Sequence, residues 1–161
     1  MNRLLLNSIF FILYILNCQC STAENFKKLH NRIDNLSNFY LIRPYTPNLA
    51  IWSFEVKIFK YKDKYAPTEK PVLIKKFNIG SGKYIHLNLS KGYYKLSSSF
   101  FNDSDKIIFL DGKSEAFFQF YLFSNGFFSK TELFFQEITK EETLGHLLEG
   151  NNMRQLKESD P

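Results

Sequence analysis

The amino-acid sequence predicts an all-β sandwich with one short C-terminal helix. Aromatic side chains make up 17% of the chain, with 18 Phe and 9 Tyr, and such residues suit a pleated, half-buried surface. About eight stretches alternate apolar and polar residues with a period of two. Gly, Pro, Asn and Ser clusters separate them at short intervals, as in a sheet protein of short strands.

Phe39 to Arg43 reads as the first strand, stopped by Pro44. Tyr45 to Asn48 is a turn cluster, and Ile51 to Tyr61 is a long second strand. There Trp52, Phe54, Val56 and Ile58 point one way, and Ser53, Glu55 and Lys57 the other. A polar loop from Lys62 to Pro71 leads to a strand over Val72–Ile79 and a Gly80-Ser81-Gly82 turn. Lys83–Ser90 alternates, with Ile85, Leu87 and Leu89 facing in and Tyr84, His86 and Asn88 facing out. Ser90-Lys91-Gly92 is expected to be a tight hairpin connection into a returning strand over Tyr93–Phe101.

Lys106–Leu110 is a short strand, turned by Asp111-Gly112. Ser114–Phe123 is apolar on both faces, so it is central or something covers its second face. Thr131–Ile138 is the last strand. Thr139 with Glu142 then forms a capping box, and Leu144, Leu147 and Leu148 give a short apolar stripe on a helix closed by Gly150. The sandwich is expected over residues 38–149, and residues 150–161 read as a disordered polar tail.

The N-terminal residues carry an address. Arg3 and the apolar run Leu4–Leu16 are too short to cross about 30 Å of hydrocarbon as a helix, so residues 1–17 read as an export signal. Two cuts compete. Ile15-Leu16-Asn17-Cys18 resembles a bacterial lipobox, which makes Cys18 the acylated first residue of the mature chain. Alternatively, Ser21 and Ala23 offer the small side chains of an ordinary cut after Ala23. Gln19 after Cys18 looks like an outer-membrane destination in enteric-type bacteria. Residues 18–37 form a tether: either an amphipathic helix built on Phe26, Leu29, Ile33 and Leu36, or a polar linker.

The only cysteines are Cys18 and Cys20, so a disulfide framework is excluded from the folded part. The net charge of +5 comes mostly from lysines scattered along the outer faces of strands. That pattern argues against a nucleic-acid partner and leaves anionic lipid as a secondary possibility. His30, His86 and His146 lie in three different elements, outside any metal-ligand motif. Gly-x-Ser-x-Gly does not occur, and no helix follows Gly80-Ser81-Gly82 to cradle a phosphate. Asp103, Asp105 and Asp111 are spaced unlike a calcium loop. Neither a metal nor a cofactor nor catalysis is expected. Arg43 is the candidate residue of interest. Pro44 holds it extended, and it is expected to pair with Glu132 or Glu137 at the strand end or to face a ligand.

The order Phe39-Tyr40-Leu41-Ile42-Arg43-Pro44, Gly80-Ser81-Gly82-Lys83-Tyr84, Lys91-Gly92-Tyr93-Tyr94-Lys95-Leu96, Gly112-Lys113 and Glu132-Leu133 resembles the DUF2846 family of bacterial lipoproteins, over about residues 38 to 149. Lys91 stands where that family usually has Pro. The resemblance implies a transthyretin- or immunoglobulin-like antiparallel β-sandwich, and no activity. The expected protein is a lipid-anchored envelope module that binds without catalysing. Its partners would be the membrane, through N-terminal acyl chains, and an envelope protein. The alternative is a soluble secreted or periplasmic carrier of a small apolar ligand, with an aromatic pocket between the sheets.

Overall fold

The computed structural model describes residues 24–47, 50–98, 105–123, 132–149 and 153–156. Its strands are β1 (Glu24–Asn25), β2 (Leu36–Arg43), β3 (Ser53–Lys60), β4 (Val72–Gly80) and β5 (Lys83–Ser90), then β6 (Gly92–Ser98), β7 (Lys106–Leu110), β8 (Glu115–Phe123), β9 (Glu132–Glu137) and β10 (Arg154–Gln155). The helix α1 spans Lys140–Glu149. The eight expected strands correspond to β2–β9. They form two sheets, in the orders β1-β10-β5-β2-β8-β9 and β4-β3-β6-β7.

Two expectations about pairing are corrected. Ser90-Lys91-Gly92 is not a hairpin: β5 pairs with β2 and β6 pairs with β3, so this turn carries the chain from one sheet to the other. Gly82 and Gly112 make the same kind of corner, with φ of 67° and 78°. A glycine at positive φ serves a corner as well as a hairpin, so turn chemistry alone does not separate them. The larger sheet is also not purely antiparallel, because β8 runs parallel to β2 and β10 parallel to β5. Between β2 and β8 the chain passes through β3 and β4, returns as β5, and leaves again through β6 and β7, which supplies the long connection a parallel pair needs.

Between the sheets, alternate residues of both layers interlock. Phe39, Leu41, Ile85, Leu87, Phe118 and Phe120 of the large sheet meet Phe54, Val56, Ile58, Ile79 and Leu96 of the small one. A second cluster lies on the outer face of the large sheet. Tyr40, Ile42, Tyr84 and Phe117 are buried there under Leu147 of α1 and Met153, with Phe26 and Leu29 at its edge. This cover accounts for Phe117 of β8, whereas Tyr121 on the same face is 42% exposed. The capping box forms as expected: Glu142 N donates to Thr139 Oγ1 at 3.1 Å and Thr139 N to Glu142 Oε2 at 2.8 Å. Leu147 is buried, but Leu148 faces solvent and leaves the expected stripe.

Both ends of the sandwich are longer than expected. Residues 153–156 are not a disordered tail. Met153 is 3% exposed, Arg154 N donates to Gly82 O at 3.1 Å, and Leu156 N donates to Tyr84 O at 2.9 Å. The free edge of β5 and one apolar side chain suffice to hold this short segment. On the N-terminal side, Leu36 and Ser37 already belong to β2, and residues 26–35 contain no helix. That segment runs over the large sheet with Phe26 and Leu29 against it, while Ile33 stays exposed.

The Gly112 corner is crowded. A Cβ there would sit 3.1 Å from Asn35 O and 3.3 Å from Lys91 Cβ, at a positive φ that L-residues avoid. Gly112→Ala is therefore expected to lower stability by about 1–3 kcal/mol in urea unfolding. Gly145→Ala, in α1 with nothing within 4 Å, is expected to raise it by about 0.5–1 kcal/mol.

Candidate functional site

Cys18, the expected lipidation site, lies outside the described residues. Arg43 is described, and its surroundings differ from the expected ion pair. The alternation of β2 turns Arg43 to the same side as Phe39 and Leu41, into the space between the sheets, where it is 1% exposed. Its Nη1 donates to Trp52 O at 2.6 Å and to Ile79 O at 2.8 Å. The guanidinium carbon lies 4.7 Å from the centre of the Phe54 ring. Trp52, Phe54 and Ile79 all belong to the small-sheet side, so one cation from β2 ties the two layers together. Burial lowers its pKa to about 10, which leaves it charged at neutral pH. Glu137 is exposed on β9, and the Glu132 side chain lies outside the described residues.

The structure also brings together two histidines that the sequence kept apart. His30, from the N-terminal segment, stacks on His86 of β5 with ring centres 3.8 Å apart and planes within 5°. Tyr40 lies against both rings. His30 N donates to Tyr40 Oη at 2.7 Å, and Asn38 Nδ2 donates to His30 O at 3.0 Å. Asn38 Oδ1 faces His86 Nε2 at 3.4 Å. Side chains from β2 thus hold both polar groups of one backbone unit in the N-terminal segment. Burial, and then the neighbouring His30, lower the His86 pKa to about 4. Tyr40 is raised, chiefly by burial. His30 Nδ1 lies 3.4 Å from Tyr40 Oη, so the two rings turn a nitrogen to different partners. Among the described residues, no group of three His, Cys, Asp or Glu is placed to hold a metal ion.

Beside this clamp is an open cleft of about 710 Å³, lined by Arg32, Asp34, Lys113, Ser114, Glu115, Phe117 and Lys140. Arg32 Nη1 donates to Lys113 O at 2.7 Å, and Lys140 Nζ meets Glu115 Oε2 at 2.6 Å. The turn that carries Lys113 is fixed by Asp111. Its carboxylate accepts from Lys113 N and Ser114 N, both at 2.7 Å, and these bonds hold its pKa down at about 2. The cleft suits polar or anionic contacts better than an apolar ligand.

The sequence showed His86 facing away from the core. No spacing signalled that residues 26–35 fold back over β5, so the contact with His30 was not foreseen. No family model, curated protein or solved structure matches this chain.

Two outcomes are expected. Arg43→Ala removes the donor from one buried and one part-buried carbonyl and should cost about 2–4 kcal/mol in urea unfolding, with Arg43→Lys intermediate. For His86, a folded-state pKa of about 4 lies below the ordinary 6.5, so the unfolded chain binds more protons between those values. Its contribution is complete above about pH 6.5 and is lost as the pH falls toward about 4. Urea midpoints should therefore fall less between pH 7 and pH 4.5 for His86→Gln than for the native chain.

Proposed function

We propose that this chain is a lipid-anchored protein of the bacterial cell envelope, of the DUF2846 type, on the outer membrane facing the periplasm. It acts by binding and not by catalysis. The observation that carries this reading is the apolar leader ending in Cys18, so close ahead of a packed domain. The step from Cys18 to Glu24, where β1 begins, spans about 20 Å even when fully extended. An acylated Cys18 would hold the sandwich against the bilayer, without a long flexible arm. The clamp on His30 supports the same reading, because it fixes the N-terminal segment to the sheet. A polar cleft of mixed charge supports a protein partner in the envelope over an apolar cargo.

Labelled palmitate with and without globomycin tests the anchor. The native chain should take up label, Cys18→Ser should not, and globomycin should accumulate the precursor. An unlabelled mature chain beginning at Glu24 would overturn the proposal in favour of a soluble exported protein.

A further inference from the structure

The end of the sandwich above Arg43 gathers exposed apolar side chains and cations. In the connection from β2 to β3, Tyr45 is 66% exposed, Ile51 89% and Trp52 54%. Side chains of this size seldom project into water from one short connection without a partner. The connection is pinned from below: Arg43 holds Trp52 O, and Thr46 N donates to Ser81 Oγ at 2.9 Å.

Strand register places the N-terminal segment at the same end. Arg43 is opposite Lys83, Lys83 is opposite Arg154, and Arg154 is opposite Asn25. The exposed Lys27 and Lys28 follow directly. Within residues 25–28, 43–47, 50–53, 79–84 and 153–156 there is no Asp or Glu. The nearest carboxylate along β3, Glu55, is held by Lys57 at 3.0 Å and Lys76 at 2.6 Å. Tyr and Trp with a cationic surround are the residues that settle at the headgroup level of a bilayer.

We propose that this end is a membrane-docking surface for an anionic phospholipid bilayer. Tyr45, Ile51 and Trp52 enter the interface, and Lys27, Lys28, Lys83 and Arg154 face the headgroups. The lipid-anchor reading supplies the nearby membrane, but the surface stands on its own geometry, and its test leaves Cys18 out. The chain tested begins at Glu24, the first described residue, and its circular dichroism must match that of the full-length Cys18→Ser chain.

Trp52 is the only tryptophan in the chain and reports directly on this loop. With phosphatidylglycerol-rich vesicles, the Glu24-start chain should co-sediment and its emission should shift to the blue. Phosphatidylcholine vesicles should bind it far more weakly. The double variant Tyr45→Ser/Ile51→Ser should lose at least about tenfold in vesicle affinity. Lys27→Ala and Lys28→Ala should each lose about fivefold at low salt, with the difference shrinking as salt is added. All these positions are exposed, and unchanged circular dichroism confirms the fold of each variant. Unchanged Trp52 emission with anionic vesicles overturns the proposal. So does native-like binding by the double variant, or a blue shift that grows with protein concentration without vesicles, which would mark contact between copies of this chain. Palmitate labelling of Cys18 is unaffected by any of these results, so the anchor and the surface fail separately.

Discussion

A single buried cation holds the sandwich closed at one end. A guanidinium between two sheets is costly unless its donors find partners, because burial disfavours charge. Nη1 of Arg43 meets this demand with main-chain carbonyls from the opposite layer, and the guanidinium lies over the face of Phe54. Those carbonyls belong to the residue just before β3 and to the penultimate residue of β4. The position of β3, the exit of β4 and the course of the loop between β2 and β3 are thereby fixed at once. Pro44 adds to this by keeping Arg43 extended, so the side chain projects inward.

The same end also exposes Tyr45, Ile51 and Trp52. Trp52 gives its carbonyl to Arg43 while its ring is half exposed, and it lies just ahead of the first residue of β3. The expected alternation had placed Trp52 with Phe54, Val56 and Ile58 on the inner face. The period-two pattern holds only once the strand has begun at Ser53, after the connection is anchored. Local tethering overrides periodicity at a strand end.

The strands, the doubly apolar β8 and the capped helix were legible because each is written in local patterns: alternation, two-sided apolarity and the Thr139–Glu142 pair. Whatever depends on contacts distant in sequence was not. Turn glycines did not reveal that three of the turns change sheet. Polar composition hid the strand at Arg154–Gln155, since two backbone units on an open sheet edge need almost no side-chain signal. At the candidate site, Arg43 stood out because a charge closes an apolar strand. Its carbonyl partners could not be read, because main-chain acceptors carry no sequence mark. The stacked His30 and His86 arise only when the N-terminal segment folds back, and a neutral His86 makes that contact free of charge repulsion.

The short ribbon of β1, β10 and β5 has a mechanical consequence. The N-terminal strand does not touch β5 directly; the C-terminal strand is interposed. A pull on the residues ahead of Glu24 therefore loads the two-residue β1–β10 pairing first, then the grip on His30, and only afterwards β2 at the centre of the sheet. The first bonds on that path are a few backbone pairs between the N-terminal segment and residues 153–155, at the margin of the double-layered body.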